Sequence, residues 1–354
     1  MRRICVGLIC FLICAAHVSE AQFNRKTIKK NNKKISKYRG RKEHFGKEKT
    51  YTAIGFSLNA TNYYGDLAPK PSRLSTDISF TRPGIGISLG HRFGPRYTIM
   101  SQFMFATLRG SDKESADPNN TEYNGRYLRN MEFRNNIKEF TVVGVFDLFE
   151  NMATYISRVK WTPYISAGGA VFISTPRGRA PDTGINGADL GNDAGAWVKL
   201  RPLGTEGQHS KLEKTDANYG IKPYSAVQFA IPVSVGARFR INEVLDLWAE
   251  IGFRYTFTDY LDDVSQNYVD LGVFGYNELA KAMSYRTGEL PAENLNALVN
   301  YVGRDGKTYT IQAGYGSEYP TNIRGSSNDK DMYMVTSVRI TYIIGATFHK
   351  AKFR

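Results

Sequence analysis

The chain has 354 residues, of which 42% are hydrophobic and 13% aromatic, and a formal net charge of +14. No run of roughly eighteen apolar residues follows residue 21, which excludes a transmembrane helix from that part of the sequence. The cysteines Cys5, Cys10 and Cys14 all precede residue 21, so the rest of the chain cannot form the disulfide framework of a small secreted domain.

Residues 1–21 have the pattern of a secretory signal peptide. Arg2 and Arg3 precede an apolar run, and Ser19 and Ala21 occupy the small-residue positions of a cleavage site. We therefore expect an exported protein whose mature chain begins near Gln22.

Residues 22–50 contain twelve lysines and arginines against two glutamates. This segment has too few apolar residues to form a core, so we expect it to be disordered alone. It is either a solvated leader or a docking segment for an acidic protein or anionic headgroups. An exported chain rarely meets nucleic acid, so we expect no such partner. The candidate docking residues are Lys29, Lys30, Lys33, Lys34, Lys37, Arg39 and Arg41.

From Tyr51 onward the sequence repeats one unit, a segment of alternating character followed by a turn or a polar loop. Alternation with a period of two residues predicts β-strands. Eight such segments occur: YTAIGFSLNATNYYGDL, GIGISLGHRF, YTIMSQFMFATLRG, NIKEFTVVGVFDLF, TPYISAGGAVFIS, AVQFAIPVSVGARFRI, DLWAEIGFRYTFTDYLDDV and MVTSVRITYIIGATFHKAKFR.

Long and short connections alternate between these segments. The long ones are residues 68–82, 111–130, 175–223 and 262–331. Transmembrane barrels have this asymmetry, with short periplasmic turns and long outside loops. Residues 51–354 are therefore predicted to be all-β: an eight-stranded antiparallel transmembrane up-and-down β-barrel with long extracellular loops and short periplasmic turns. Such a barrel would be surrounded by outer-membrane lipid and, with an even strand number, would have both termini in the periplasm.

Several charged residues share the polar face of their strands, which points into such a barrel. An eight-stranded barrel is just wide enough to be filled by side chains, and unpaired charges inside it would be costly. We therefore predict a plug of internal ion pairs and no open pore. The predicted interior residues are Glu139, Arg238, Glu250, Arg254 and Arg339.

Four motifs carry a family resemblance: NYYGDL, WVKLRPLGTEGQ, KPYS and FRYTFTDYLDDVS. With them, about residues 50–350 resemble the DUF6089 family of Bacteroidetes outer-membrane barrels, which includes a small barrel of the type IX secretion system. The resemblance implies a non-enzymatic structural component of a secretion and gliding apparatus. It also implies contact with periplasmic secretion-machine proteins that form a lipoprotein ring.

Two of these motifs supply candidate residues for the outer rim of the barrel. A glycine permits a sharp turn, and aspartates can bond the backbone of a loop. A calcium site is the alternative, but the cluster lacks the alternating oxygen ligands of an EF-hand loop, so we predict no metal. The rim residues are Asn62, Tyr64, Gly65, Asp66, Asp259, Tyr260, Asp262 and Asp263.

Catalysis has little support in the sequence. His209, beside Glu206 and Ser210, is part of the sole local grouping that contains the residue types of a catalytic triad. We expect no catalytic residue, no cofactor and no small-molecule substrate. An outer-membrane barrel enzyme and a small-solute channel stay open as alternatives. In the last long loop, NELAKAMSYR and PAENLNALVNYVG are predicted to be short helices.

Overall fold

The computed structural model describes residue 30 and residues 45–68, 78–116, 124–295 and 297–344. The chain divides into two compact units, residues 1–44 and residues 45–354. The predicted signal peptide lies outside the described residues. So do all of the candidate docking residues except Lys30, and the last ten residues of the predicted final strand.

The described part of the second unit contains twelve β-strands and three α-helices. The strands are β1 (Tyr51–Tyr64), β2 (Arg82–Arg92), β3 (Tyr97–Ser111), β4 (Glu132–Asp147), β5 (Trp161–Ile173), β6 (Pro176–Arg179), β7 (Trp197–Lys199), β8 (Val227–Arg240), β9 (Leu245–Thr256), β10 (Leu298–Val302), β11 (Thr308–Gln312) and β12 (Met332–Ile344). The helices are α1 (Asp112–Ser115), α2 (Asn124–Arg129) and α3 (Glu278–Ser284). None of the helices in the described residues has the length and apolar character to cross a membrane.

Eight of the strands form a closed antiparallel barrel. Their order around the sheet is β3-β2-β1-β12-β9-β8-β5-β4, and β3 also pairs with β4, which closes the ring. Each strand therefore pairs with its nearest barrel neighbours in sequence, and β1 pairs with β12. The predicted eight-stranded up-and-down barrel is confirmed.

The barrel has its apolar side chains outside and its polar side chains inside. On β1, Phe56 and Leu58 are 52% and 61% exposed, whereas Ser57 and Asn59 are 1% and 5% exposed. Exposed leucine, isoleucine, valine and phenylalanine side chains continue on the other barrel strands. A barrel in water would bury this surface, at a gain of about 25 cal/mol per Å². This polarity is the one that a lipid environment stabilises.

Connection length alternates around the barrel, as predicted. Residues 93–96, 148–160 and 241–244 form the short connections at one end, which we call the turn end. The long connections lie at the opposite end, the loop end, and comprise residues 65–81, 112–131, 174–226 and 257–331.

The long loops at the loop end contain ordered structure of their own. The strands β6 and β7 extend the sheet beyond β4, and β10 pairs with β11 in a separate hairpin. The helix α3 lies within the predicted NELAKAMSYR segment, but the predicted helix over residues 291–303 is wrong, since β10 occupies its second half. Alternation in LVNYV buries part of Val299 and Tyr301 and exposes Leu298 and Val302, as a hairpin face requires.

Strand β9 ends earlier than the sequence predicts. The alternating pattern continues to Val264, but the strand stops at Thr256, and the chain then folds inward over the barrel mouth. Asp263 adopts a left-handed backbone conformation with φ of 69°, which is incompatible with a continuous strand. The DYLDDV segment is therefore free to bond other loops.

Candidate functional site

The four sequence motifs converge at the loop end of the barrel. NYYGDL ends β1, GTEGQ and KPYS come from the loop between β5 and β8, and DYLDDVS follows β9. Residues near the end of the 257–331 loop complete the group. We call it the rim cluster, and it consists of Tyr63, Asp66, Thr205, Glu206, Tyr224, Asp259, Asp262, Asp263, Arg324 and Asp331.

At its centre a tyrosine touches two carboxyl groups. The Tyr63 hydroxyl lies 2.7 Å from Asp262 Oδ2 and 2.6 Å from Asp331 Oδ1. All three residues are buried. The backbone N–H groups of Val264 and Leu261 donate to the outer oxygens of Asp262 and Asp331, at 2.9 and 2.8 Å. These contacts tie both ends of the 257–331 loop to β1.

Asp263 connects a second pair of loops. Thr205 Oγ1 donates to its Oδ2 at 2.5 Å, and the Tyr224 hydroxyl donates to its Oδ1 at 2.6 Å. The Tyr224 ring also stacks on Tyr260, with 4.5 Å between centroids and 6° between planes. The 174–226 loop is thereby held to the segment that follows β9.

A buried ion pair joins the same two loops. Arg324 Nη1 lies 2.8 Å from Glu206 Oε1 and donates to the Asp263 carbonyl at 2.6 Å. Glu206 Oε1 also accepts from the backbone N–H groups of Ser265 and Gln266, at 2.8 and 3.0 Å. Glu206 is completely buried, so these donors and the guanidinium replace its lost water.

The remaining predicted rim aspartates bond the loop backbone or a nearby hydroxyl. Ser326 N donates to Asp66 Oδ2 at 2.8 Å, and Ser265 Oγ donates to Asp259 Oδ2 at 2.7 Å. Among the described residues, no group of three or more histidine, cysteine, aspartate or glutamate side chains has the arrangement of a metal site.

The backbone of Gly65 lies directly against the centre of the rim cluster. A Cβ atom at this position would collide with Asp331 Oδ1 and with the hydroxyl of Tyr63. The glycine of the NYYGDL motif is therefore required for close approach of the backbone, as glycine commonly is where the chain meets another group.

We expect Gly65→Ala to loosen the rim cluster while the barrel still folds. The added methyl group forces apart Tyr63 and Asp331, and strain of this kind typically costs about 1–3 kcal/mol. Hydrogen exchange of residues 257–268 and 326–331 measures the effect. Gly169→Ala is the matched control, since no atom lies within 4 Å of its added Cβ, and unchanged exchange in Gly65→Ala would contradict the prediction.

Four predicted rim residues are not members of the rim cluster: Gly65 and Tyr260 contact it, whereas Asn62 and Tyr64 have other partners. Asn62 Nδ2 donates to Thr81 Oγ1 at 2.8 Å, and the Tyr64 ring lies 6.2 Å from that of Phe253, on the outer side of the barrel. The site uses Tyr63 in place of Tyr64. Strand parity could have identified Tyr63, because it shares the inward face of Ser57 and Asn59. No local pattern marks Arg324 or Asp331.

Burial raises the pKa of the carboxyl groups in the rim cluster. It raises the pKa of Asp259 to about 7 and that of Asp263 to about 6, the latter against the opposing effect of Arg324. For Asp262 and Asp331, burial and the neighbouring carboxylates raise the pKa well above the ordinary range. The folded state therefore holds protons that the unfolded chain releases.

Stability of the loops at the rim is expected to fall as the pH rises. A carboxyl whose pKa is raised on folding contributes most below its unfolded pKa of about 3.9, and this contribution is lost as the pH rises through the folded value. The contribution of Asp263 to stability is lost up to about pH 6, and that of Asp259 up to about pH 7. Hydrogen exchange corrected for intrinsic rates should show stronger protection of residues 257–268 at about pH 5 than at about pH 8. The Asp259→Asn variant should have a shallower dependence, and equal dependence would contradict the prediction.

All five predicted interior charges lie on the inward side of the barrel, but they do not form one ion-pair network. Arg254 Nε lies 3.2 Å from Glu139 Oε1. Glu250 instead accepts from the Tyr164 hydroxyl at 2.9 Å, and Arg339 Nη2 donates to the side-chain oxygen Oε1 of Gln102 at 2.7 Å. The predicted plug of ion pairs therefore contains one ion pair among these five residues, Arg254 of β9 with Glu139 of β4, while Glu250 and Arg339 bond neutral side chains.

Arg238 belongs to a separate group near the turn end. Its Nη2 lies 2.6 Å from Asp147 Oδ2, and Arg92 Nη1 lies 3.0 Å from the same oxygen. Arg158 and Asp246 form a further buried pair at 2.6 Å. We call these five residues the turn-end cluster. Charged side chains therefore fill the interior near both ends of the barrel.

The histidine grouping does not have the geometry of a catalytic triad. His209 Nε2 lies 2.9 Å from the backbone carbonyl of Arg201, and Glu206 bonds Arg324. In the described chain no hydrogen bond links His209 to Glu206 or to Ser210. These residues position a loop.

A closed eight-stranded antiparallel barrel with an apolar outside and a charged, filled interior defines a membrane β-barrel protein of the outer-membrane type. The family model for the domain of unknown function DUF6089 matches residues 45–177. This range contains β1 to β5 and the NYYGDL motif, whereas the other three motifs lie beyond it. A search of curated proteins found no match.

Solved structures with a similar chain path include three bacterial surface barrels. Neisserial surface protein A has 8% sequence identity and a TM-score of 0.32, and covers 82% of this chain and 96% of its own. The N-terminal β-barrel domain of Pseudomonas aeruginosa OprF has 7% identity and a TM-score of 0.30, with coverages of 83% and 99%. A major outer membrane protein from Thermus thermophilus has 7% identity and a TM-score of 0.32, also with coverages of 83% and 99%.

Proposed function

We propose that this protein is a PorG-like structural component of a type IX protein secretion and gliding apparatus, anchored in the outer membrane. The match of residues 45–177 to DUF6089 supports the family relationship, and the four motifs support its extension to the loops. In this proposal the turn end and both termini face the periplasm, and the loop end faces outward. The protein has no catalytic role and contacts periplasmic partners of the lipoprotein ring.

The filled interior is the observation that carries a structural role. Buried charged groups occupy the lumen near the turn end, at mid-height and at the loop end, and each is bonded to a protein partner. Asp147, Glu139 and Glu206 are the anionic centres at these three levels. A barrel that is packed in this way gives solutes no wide aqueous path, which favours a structural role over transport.

Deletion of the gene tests the proposed function. Export of type IX substrates should be lost while neighbouring components of the apparatus are still expressed, and a plasmid copy of the full chain should restore export. Normal export in the deletion strain would contradict the proposal.

The basic segment, residues 22–50, is proposed to bind the periplasmic partners. Its block of positive charge suits an acidic protein surface and would lie on the periplasmic side. Crosslinking in intact envelopes should recover such a partner with the full chain and lose it when the seven candidate docking residues become glutamine. Exchange of lysine for arginine and arginine for lysine at the same positions is the control that keeps the charge. Equal recovery from the glutamine variant would remove the segment from the interface.

A further inference from the structure

The contacts of Tyr63 require one hydrogen atom more than its own hydroxyl can supply. Its oxygen lies 2.7 Å from Asp262 Oδ2 and 2.6 Å from Asp331 Oδ1. A phenol has a single hydrogen, and hydrogen bonds this short need a hydrogen near the line between the two oxygens. One contact is donated by Tyr63. The other must be donated to Tyr63 by a protonated carboxyl group.

The other oxygens of the two carboxyl groups are already occupied by donors. Val264 N donates to Asp262 Oδ1, and Leu261 N donates to Asp331 Oδ2. Leu67 N makes a longer contact of 3.3 Å with Asp262 Oδ2, the oxygen that faces Tyr63. The proton therefore belongs on an oxygen that faces Tyr63. Backbone groups hold both carboxyls in this orientation, so neither can rotate away without breaking the turn that it stabilises.

The charged groups around this trio do not neutralise it. Asp66, on the β1–β2 loop, Asp259, on the β9–β12 loop, and Glu206, on the β5–β8 loop, add negative charge nearby. Two arginines of the loop end are bonded to other carboxylates: Arg129 to Asp112 at 2.7 Å and Arg324 to Glu206 at 2.8 Å.

A lysine and a further arginine at the same rim are also bonded away from the trio. Lys330 Nζ donates to the Ser327 carbonyl at 3.2 Å. Arg126 lies 3.3 Å from Asp112 Oδ1 and also donates to the Ala68 carbonyl. Two adjacent ionised carboxylates without a cation would repel each other strongly when buried, and sharing a proton removes that repulsion.

We propose that Tyr63, Asp262 and Asp331 form a proton-binding latch, in which one shared proton holds the base of the 257–331 loop against β1. Asp262 lies near the beginning of this loop and Asp331 at its end, so the latch joins the two ends of the loop at Tyr63 of β1. Loss of the proton places two negative charges on either side of Tyr63 and releases the loop from the barrel mouth. The loop end thus responds to the proton concentration outside the barrel.

Infrared difference spectroscopy of the purified barrel tests the proton directly. A protonated buried carboxyl has a C=O stretch that is separate from carboxylate bands. We expect such a band near neutral pH, and a loss of intensity in both Asp262→Asn and Asp331→Asn. Glu293→Gln, at an exposed position, is the control and should leave the band unchanged. Equal bands in wild type and in both asparagine variants would overturn the proposal.

Limited trypsin digestion tests the release of the loop without any substitution. Arg324 is buried, so cleavage after it requires opening, whereas Lys307 is half exposed and reports the activity of trypsin. Asp263 and Asp259, whose pKa values are raised to about 6 and about 7, also release protons on opening at lower pH, so the latch is read above about pH 7. There the release of the latch proton should raise cleavage at Arg324 relative to Lys307 by up to about tenfold per pH unit. Asp331→Asn should remove most of the slope in this range, whereas Asp259→Asn should leave it in place. A wild-type ratio that does not change with pH would overturn the latch.

Discussion

Arg324→Met is expected to unfold the loops at the rim while the barrel stays intact. Removal of the guanidinium leaves the completely buried Glu206 without its cation, and a single uncompensated buried charge typically costs about 3–5 kcal/mol. Every 1.4 kcal/mol changes an equilibrium tenfold, so hydrogen-exchange protection of residues 205–225 and 259–268 should fall by about a hundredfold or more.

Two further variants separate this effect from a general loss of charge. Arg304→Met removes a cation from the more exposed pair with Asp216, which should cost less than about 1 kcal/mol. The double variant Glu206→Gln, Arg324→Met removes both buried charges and should recover much of the lost protection. If Arg324→Met and Arg304→Met have equal effects, the rim cluster does not depend on the buried pair.

Asp147→Asn is expected to destabilise the turn end of the barrel. One oxygen of Asp147 bonds both Arg92 and Arg238, which are 1% and 4% exposed. A neutral amide removes the one anion that both buried guanidinium groups bond, and the cost should be about 3–5 kcal/mol. Urea unfolding of the barrel in detergent, followed by tryptophan fluorescence, measures it.

The control for Asp147→Asn is Glu150→Gln, close in sequence. Glu150 pairs with Arg96 at 3.7 Å on the surface, where both side chains are at least one-third exposed. Exposed pairs contribute about 0–1 kcal/mol, so this variant should unfold at nearly the same urea concentration as the wild type. An Asp147→Asn midpoint as high as that of Glu150→Gln would show that the turn-end cluster adds little stability.

The barrel could be predicted from the sequence because lipid and lumen impose a strict alternation on each strand. Phe56 and Leu58 face outward and Ser57 faces inward, and this alternation can be seen in the sequence of β1 without knowledge of the adjacent strands. The alternation of long and short connections then predicted the up-and-down barrel, since this alternation can be counted along the chain without knowledge of tertiary contacts.

The rim cluster could be predicted only in part, because its bonds connect residues far apart in sequence. Tyr63 meets Asp262 and Asp331, and Glu206 meets Arg324, across separate loops. The alternation of apolar and polar residues within a strand does not indicate which loops contact each other. Asp66, Asp259, Asp262 and Asp263 were predicted at the rim, whereas GTEGQ and KPYS, which supply Thr205, Glu206 and Tyr224, were distinguished only by the family resemblance.

For the charged residues inside the barrel, the sequence likewise predicts the side of the strand on which each residue lies but not its bonding partner. Strand parity places Glu139 and Arg254 inside the barrel, but it does not specify their partners. The curvature of the barrel brings β4 opposite β9, so that Arg254 reaches Glu139 and Glu250 reaches Tyr164. The helix predicted over residues 291–303 is wrong because, in so short a segment, the apolar residues of β10 fit the helical period as well as the strand period.

Single-channel recording in planar bilayers tests the central claim most directly, namely that this is a closed structural barrel with a lumen filled by charged side chains. We expect the purified full-length protein to show no steady open level of nanosiemens size at neutral pH. A stable conductance of that size in every insertion would contradict the account, because it requires a continuous water-filled path past Asp147, Glu139 and Glu206.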